Sequence, residues 1–251
     1  MAQVEKERFF TMAETYDEMA QILVPEYDFL QSEALRIVDF ETDKTFTAVD
    51  LGAGSGILIE KILNHFPGAN CIWVDYSDDF LRIAEKRLSK YGNRVKFVLS
   101  VIEDNWEDKI DCRPDLITSM SAIHHLETEE KKKLYNKCYD VLNTEGWFFN
   151  IDEMKTISDA AYKNSLVRWV NFVLQQEKSI PAGKAGYYRK FRSHFDNWKI
   201  RNIDNIEIPK QKGDDLHEAF IDQVKWLLDA GFKNADVFLK YHLWSVIGGQ
   251  K

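Results

Sequence analysis

A short apolar strand that runs directly into three alternating glycines is the feature that most limits how this chain can fold. Residues 49–56 read Val-Asp-Leu-Gly-Ala-Gly-Ser-Gly. Apolar residues at helical spacing follow, and Pro67 and Gly68 end that helix before a second apolar strand. A strand, a glycine loop, a helix and a strand in this order form a βαβ unit, in which a ligand can touch the backbone of the loop.

The second strand ends in an acidic residue at the distance that a nucleotide site requires. Asp75 follows the strand 71–74 and lies about twenty residues beyond the loop, where a carboxylate can accept hydrogen bonds from ribose hydroxyls. Ile57 stands where the dinucleotide fingerprint G-x-G-x-x-G has its third glycine, so the tight helix entry that a pyrophosphate needs is missing. The pattern favours a nucleoside without phosphates. The alternative is an ordinary sharp turn.

Strands and helices alternate through the first 151 residues. Such alternation predicts a parallel sheet with right-handed crossovers, with the ligand outside the carboxyl ends of the strands. The predicted strands are 47–51, 71–74, 95–99, 115–120 and 147–151, and the predicted helices are 5–22, 26–40, 78–91 and about 128–142.

The pattern changes after the fifth strand. Residues 156–198 read as helices that are rich in aromatic side chains, and a helix at 216–230 with a hairpin of 235–240 and 242–247 follows. We therefore expect one domain over 1–251. Its parts are an N-terminal helical cap (1–45), a ligand-binding core (46–155), a helical lid insertion (156–200), and a C-terminal helix with antiparallel strands (201–251).

Composition excludes several classes of partner. The net charge of −8 and the pI near 5.4 oppose a general affinity for nucleic acid or anionic membranes, since both need a positive field. Cys71, Cys112 and Cys138 have no C-x-x-C spacing, which fits a reducing compartment. We see no apolar run of the roughly 18 to 20 residues that span a bilayer, and no signal sequence. We expect a cytoplasmic protein with no nucleic acid or membrane partner.

Three motifs together resemble those of the class I S-adenosylmethionine-dependent methyltransferases. They are the loop 49–56, Val-Asp-Tyr-Ser at 74–77 and Ser-Ala-Ile-His-His-Leu at 121–126. The resemblance covers roughly residues 9–153. It is closest to small-molecule methyltransferases and to the carboxy-S-adenosylmethionine synthase-like branch, whose ending is similar to residues 226–248.

This resemblance implies a Rossmann-like fold, a seven-stranded and mostly parallel sheet with helices on both faces. It also implies S-adenosyl-L-methionine as cofactor, S-adenosyl-L-homocysteine as product and a small-molecule acceptor, with transfer to an oxygen or a nitrogen left open. Two alternatives are an enzyme that modifies the cofactor itself, as in carboxy-S-adenosylmethionine formation, and a non-catalytic protein that binds the cofactor. A homodimer is also left open.

The same resemblance assigns cofactor contacts. The backbone of the glycine loop would approach the amino acid and the ribose, Asp75 would accept from both ribose hydroxyls, and Tyr76 would lie over the adenine. Asp50 would bind loop amides or, through water, the cofactor ammonium. The full predicted set is Tyr16, Asp50, Gly52, Ala53, Gly54, Asp75, Tyr76, Phe80, Ile102, Glu103 and Ser119.

One family feature is missing. An acidic residue usually follows the third strand and reads the adenine amino group, but Ser100, Val101 and Ile102 occupy that stretch. Glu103 or Asp104 is the expected substitute, with the Ile102 amide available to an adenine nitrogen. Tyr16, in a segment similar to the helix that covers the cofactor, is expected to be a lid contact, although it could instead pack two helices.

Methyl transfer to a protonated nucleophile needs alignment, exclusion of water and a base, and histidine suits the last task near neutral pH. His124 and His125 follow the fourth strand, and His125 is the preferred base, with Tyr16 beside it. The alternative is that both histidines only orient their loop. We predict no metal, because adjacent histidines point in different directions and no carboxylate has a convincing ligand spacing.

The lid insertion supplies the predicted acceptor contacts. Its segment 184–192 mixes cations with aromatic side chains, which could clamp an anionic group and stack on a ring. The alternatives are the solvated side of a helix and, more remotely, a strip for RNA. The predicted substrate-binding residues are Trp169, Tyr187, Tyr188, Arg189 and Arg192.

Overall fold

A seven-stranded sheet runs through the part of the chain that the computed structural model describes, residues 13–41, 43–205, 207–210 and 214–251. The strands lie in the order β3-β2-β1-β4-β5-β7-β6. Their bounds are β1 Phe46–Leu51, β2 Ala69–Asp75, β3 Val95–Leu99, β4 Leu116–Met120, β5 Trp147–Glu153, β6 Lys233–Tyr241 and β7 Trp244–Gln250.

The first five strands are parallel, and β7 is inserted antiparallel between β5 and β6. The predicted mostly parallel, Rossmann-like sheet is therefore confirmed. β1 and β4 are neighbours, and strand order reverses between them, so their carboxyl ends flank the crevice where such sheets bind ligands.

Helices cover both faces of the sheet. Their bounds are α1 Ala13–Leu23, α2 Tyr27–Ile37, α3 Ile57–His65, α4 Asp78–Leu88, α5 Thr128–Val141, α6 Asp159–Gln176, α7 Ala185–Lys199 and α8 Phe220–Ala230. One core joins α1, α2, α3, α4, α6 and α7 to the sheet, and a second core joins α5 and α8 to the opposite face. No helix among the described residues has both the length and the apolar character to cross a membrane.

Several observed boundaries differ from the predicted ones, and one predicted boundary is not described. The start of the helix predicted at 5–22 falls on residues outside the described ranges. The helix predicted from 216 begins at Phe220, because residues 216–219 bind the ends of neighbouring strands, and the Leu216 amide donates to the His124 carbonyl at 2.8 Å. His242, predicted in a strand, lies in the hairpin turn with φ of 53°.

The insertion packs on the N-terminal helices. The Trp169 indole on α6 donates to the Leu23 carbonyl at the end of α1 at 3.1 Å, and Lys184, just before α7, pairs with Glu18 at 3.1 Å. These contacts, together with the shared core, join the cap to the lid.

Candidate active site

Gly52 and Gly54 of the glycine loop have different surroundings. Gly52 has φ of +68°, and a Cβ there would lie 2.3 Å from the Cβ of Ala122, so only glycine lets the loops after β1 and β4 meet. Gly54 has φ of +48°, but a Cβ there would touch only the Phe80 ring, at 3.9 Å. The surface over Gly54 is therefore an open cradle next to an aromatic wall.

The amides of the loop are already engaged. Gly52 and Ala53 both donate to the Val74 carbonyl, at 2.8 and 3.1 Å, and Gly54 donates to Asp75 Oδ2 at 2.9 Å. A ligand on this loop would meet the Cα surface of Gly54 rather than free N–H donors. The close backbone approach that the sequence predicts thus depends on the absence of side chains.

Asp75 organises the second strand end. Its side chain is buried at 6 % exposure, Oδ1 accepts from the Ser77 amide at 2.9 Å, and Oδ2 holds Gly54. Ser77, not Asp75, caps α4 by accepting from the Phe80 amide. Each carboxylate oxygen keeps a second acceptor site. Asp75 can therefore hold the loop and bind ribose hydroxyls at the same time.

Asp50 lies beneath the loop. It is 3 % exposed, and Thr118 on β4 donates its hydroxyl to Oδ1 at 2.8 Å. Burial, reinforced by the charge of Asp75 and opposed by Thr118, raises the pKa of Asp50 to about 7. None of the amides of Gly52, Ala53 and Gly54 is bonded to Asp50, so of its two predicted roles the contact through water remains.

The predicted adenine residues gather at the ends of β2 and β3. Burial and the charges of Asp75 and Glu103 raise the pKa of Tyr76 to about 12. Ile102 is buried at 8 % exposure, whereas Glu103 is exposed. A half-buried aromatic ring thus follows β2, and a buried apolar side chain and an exposed carboxylate follow β3.

Tyr16 reaches the same cleft from α1. Its ring meets Phe80 edge to face with centroids 6.0 Å apart, and 39 % of the residue is exposed. Desolvation and the charges of Glu153 and Asp152 raise the pKa of Tyr16 to about 12, whereas Ser121 opposes this shift. The phenol therefore stays neutral and lies between the cofactor-binding residues and the end of β5.

Ser119 does not belong to the cleft surface. It is fully buried, and its hydroxyl donates to the Leu51 carbonyl at 2.8 Å, so it supports β1 instead of facing a ligand. The prediction that Ser119 contacts the cofactor is corrected accordingly. Ser121, two residues later, has φ of 56° and turns the chain into the short helical segment Ile123–His125.

The two histidines differ in their surroundings. His124 is 7 % exposed, its Nδ1 lies 2.6 Å from Asp152 Oδ1, and its backbone amide donates to Asp152 Oδ2 at 2.8 Å. His125 exposes 32 % of its side chain, and its Nδ1 lies 3.4 Å from Asp215 Oδ1. The rings are 3.9 Å apart between centroids.

These surroundings separate the two pKa values. Desolvation disfavours a charge on His124, but Asp152 outweighs it and raises the pKa of His124 to about 9. Desolvation and then the charge of His124 lower the pKa of His125 to about 3. At neutral pH the proton therefore belongs to His124, and His125 is the neutral imidazole nearer the solvent.

Several residues of this site are not among those predicted from the sequence. Asp152 and Glu153 are the last residues of β5, and a longer fifth strand would have revealed them. Asp215 and His217 come from the segment 214–219, which is held against the strand ends by Lys131, a buried lysine that donates to the Leu216 carbonyl. Nothing in the sequence near these two residues predicts that placement.

The predicted acceptor residues of the insertion lie elsewhere. Trp169 is 7 % exposed and packs against Trp198, so it belongs to the core. Tyr188 is also buried, at 6 % exposure. Arg192 forms ion pairs with Glu177 and Asp196 on the helix surface.

The remaining two residues of that set are no closer to the histidines. Arg189 is exposed, and Tyr187 lines an open groove between α1, α4 and α7. The clamp predicted for this segment is therefore corrected to the solvated side of a helix, the alternative that the sequence had left open.

Part of this chain is similar in sequence to known proteins. A sequence profile described as "Methyltransferase domain" matches residues 49–148, the glycine loop through β5. Residues 49–148 of this chain are therefore similar to a methyltransferase domain. It is 30 % identical over 124 residues to malonyl-[acyl-carrier protein] O-methyltransferase 2 of Ilyobacter polytropus, which is 49 % of this chain and 44 % of that protein. The chain spans about half the length of the first curated relatives it matches.

Two further known proteins are similar to this chain over nearly its whole length. Carboxy-S-adenosyl-L-methionine synthase 1 of Yersinia pseudotuberculosis is 22 % identical over 237 residues, 92 % of this chain and 87 % of that protein. The crystal structure of a putative O-methyltransferase from Nostoc punctiforme superposes with a TM-score of 0.62 at 14 % identity, over 95 % of this chain and 59 % of that chain. The second similarity concerns the fold alone.

The residues present fit S-adenosylmethionine as a cofactor. The open cradle over Gly54 would be filled by any side chain, so it suits a ligand that lies directly against the backbone. Asp75 keeps free acceptor sites for the ribose hydroxyls. Asp50 offers a buried carboxylate near the loop for the ammonium of S-adenosylmethionine.

Proposed function

We propose that this chain transfers a methyl group from S-adenosylmethionine to an oxygen or nitrogen atom of a small-molecule acceptor. The observation that carries the proposal is the convergence of the two sheet halves: the cradle at Gly54 and the histidines after β4 border one cleft, with Gly52 and Ala122 in direct contact. A donor site and a proton acceptor are thus supplied at adjacent strand ends.

The roles of the residues follow from their positions. S-adenosylmethionine, when bound, supplies a methyl group on a sulfonium that is open to in-line displacement. Asp75 orients the ribose, Tyr76 and Phe80 cover the adenine, and Tyr16 on α1 excludes water from above. His125 accepts the proton of the acceptor at a ring nitrogen, while Asp215 orients that ring. With its pKa lowered to about 3, His125 is a weak base and takes up this proton only as methyl transfer makes the proton acidic.

Cofactor modification of the carboxy-S-adenosylmethionine type is the second candidate. The supporting observation is the similarity to such a synthase over 92 % of this chain. Against it, the two arginines that the sequence offered as an anion clamp are accounted for at the surface, Arg192 in ion pairs and Arg189 in solvent. Mass spectrometry of the nucleoside that copurifies with the protein separates the candidates, because a carboxylated cofactor has a different mass.

Calorimetric titration with S-adenosylmethionine and S-adenosylhomocysteine tests the proposal first. We expect saturable binding of both. Absence of binding to either would overturn the cofactor assignment, and binding without product from any member of a metabolite panel would favour a non-catalytic binding protein.

The substitution His125→Ala tests the proposed base. We expect turnover to fall about 10²-fold or more while the affinity for cofactor stays near that of the unmodified protein, because general base catalysis contributes roughly 10²- to 10⁴-fold. His65→Ala, at an exposed histidine ending α3, is the matched control and should leave both quantities unchanged. Equal turnover of His125→Ala and the control would reduce His125 to a structural role.

We also propose a cytoplasmic location and a small-molecule partner. The support is that Cys71, Cys112 and Cys138 are all free thiols, as expected in a reducing compartment. Sedimentation of the purified protein would decide between a monomer and a homodimer.

A further inference from the structure

A second cluster of donor atoms lies beside the histidines of the cleft, and of its three residues only Asp215 takes part in the mechanism proposed above. It joins Glu153 at the end of β5 to Asp215 and His217 of the segment 214–219. One donor atom from each of the three lies within 4.8 Å of the other two. Chain separation between Glu153 and His217 is large, which is why ligand spacing in the sequence gives no sign of it.

The contact between Glu153 and His217 is unusual for an ion pair. Glu153 Oε2 and His217 Nε2 are 3.0 Å apart, with side chains 10 % and 1 % exposed, yet neither atom has a hydrogen-bond partner among the described residues. Buried polar atoms are nearly always hydrogen-bonded, or they bind a metal when they carry charge. Two atoms bound to one Zn²⁺ at about 2.0 to 2.2 Å lie roughly 3.0 to 3.5 Å apart.

The other atoms of these side chains are oriented by neighbours. His217 Nδ1 lies 2.6 Å from the Tyr162 hydroxyl, so a proton on Nδ1 leaves the lone pair of Nε2 directed at Glu153. Asp215 Oδ2 accepts from the Trp198 indole, which leaves Oδ1 on the side of the histidines. Metal ligands in proteins typically have such orienting partners.

Access and charge also suit an ion. A cavity of about 480 Å³ reaches the cluster from the protein surface and is lined by Tyr162, Asp215 and His217. Glu153 and Asp215 supply two carboxylates to the cluster, which suit a divalent cation, while Lys155, Lys163 and Lys210 line other parts of the cavity. Mixed nitrogen and oxygen ligands favour a first-row transition metal over Ca²⁺ or Mg²⁺.

We propose that Glu153, Asp215 and His217 bind a divalent first-row transition metal ion, of which Zn²⁺ is the test case, with its remaining coordination positions facing the cavity. The site adjoins the proposed base without including it. The competing explanation is a simple imidazolium and carboxylate pair between His217 and Glu153, which needs no metal.

The experiment is a calorimetric titration of the chelator-treated protein with ZnCl₂, without cofactor or acceptor. We expect one ion per chain and micromolar or tighter affinity, with Glu153→Gln and His217→Gln each weakening binding at least 10-fold. Asp159→Asn, at an exposed carboxylate on the rim of the same cavity, is the matched control and should bind as the unmodified protein does.

Two results would overturn the site: absence of saturable binding by the unmodified protein, or unchanged affinity in both variants. Circular dichroism and binding of S-adenosylhomocysteine check that the variants fold. X-ray absorption of the zinc-loaded unmodified protein is independent of any variant and should show imidazole among nitrogen and oxygen ligands, and a spectrum without imidazole would contradict the assignment. Since no readout requires methyl transfer, these results stand apart from the test of the proposed function.

Discussion

The two halves of the cleft are built in different ways. The donor half, around the glycine loop and Asp75, comes from one stretch of about twenty-five residues. The amides of Gly52, Ala53 and Gly54 and the side chain of Asp75 form their hydrogen bonds within that stretch. The acceptor half, around His124 and His125, needs the end of β5 and the segment 214–219, which follows the whole lid insertion. The donor half is thus built from neighbouring residues, and the acceptor half from distant segments.

This difference has a functional meaning. A cofactor site can be built from a compact motif with fixed spacing, whereas an acceptor site assembled from distant segments can change with any of them. The following substitutions test whether the donor half is as self-contained, and the acceptor half as composite, as the contacts indicate.

The largest effect is expected within the glycine loop. Gly52→Ala should lower the free energy of unfolding by about 3 kcal/mol, because its Cβ would meet Ala122 at 2.3 Å in addition to the cost of a positive φ. Gly54→Ala shares the positive φ, but its Cβ has room, so it should lose only about 1 kcal/mol of stability and instead weaken cofactor binding at least tenfold. Chemical denaturation and calorimetry measure the two. Equal stability losses would contradict the contrast.

Asp75→Ala should weaken cofactor binding by roughly 1.5 to 3 kcal/mol, because charge-assisted hydrogen bonds to ribose are lost and Gly54 loses its acceptor. A cofactor analogue without one ribose hydroxyl separates these causes. If Asp75 contacts ribose, the analogue should bind more weakly to the unmodified protein but as well as S-adenosylmethionine to the variant. Additive losses would restrict Asp75 to holding the loop.

Asp50 makes cofactor affinity depend on pH. With its pKa raised to about 7 by burial, Asp50 is protonated below neutrality and cannot pair with the cofactor ammonium. Binding then releases a proton, so affinity should rise about tenfold per pH unit towards pH 7 and level off above it, a change of roughly 1.4 kcal/mol. Calorimetry between pH 5.5 and 7.5 measures this slope. Asp50→Asn should flatten it, and an unchanged slope in that variant would assign the titration to another group.

The smallest effect is expected from a substitution in the acceptor half. Lys131→Met removes the donor to the Leu216 carbonyl while keeping the buried stem, and it should cost about 1 kcal/mol of stability. Hydrogen exchange of residues 214–219 should become faster and turnover should fall, whereas cofactor affinity should not change. Lys132→Met, at the neighbouring lysine that pairs with Glu129 on the surface, is the control. Weaker cofactor binding in Lys131→Met alone would show that the halves are not independent.

Sequence reasoning succeeded where structure is local. The glycine loop, the strand ending in Asp75 and the alternation of elements specify the parallel part of the sheet, because periodicity and turn residues act over a few positions. The antiparallel edge followed from the family resemblance, and the hairpin was located apart from its turn at His242.

It failed where side-chain direction or distant packing decides. Thr118 and Ser119 are adjacent in β4, yet one hydroxyl faces Asp50 and the other the Leu51 carbonyl, so a strand end known only to within a residue cannot tell which faces the ligand. Trp169 is predicted to contact the substrate, but it packs in the core between the lid and the cap. The many aromatic residues of the insertion therefore indicate core packing. Asp215 and His217 reach the cleft only because residues 214–219 bind to the strand ends.

The position of the segment 214–219 in the chain has a consequence during synthesis. When a ribosome has released residues up to β5, every residue of the donor half is already outside, but the two side chains of the segment 214–219 that complete the acceptor half are more than sixty residues away. The residues of the donor half are therefore synthesised well before those that complete the acceptor half. Until that segment docks, the emerging protein would have the residues of the donor half and no finished place for the acceptor.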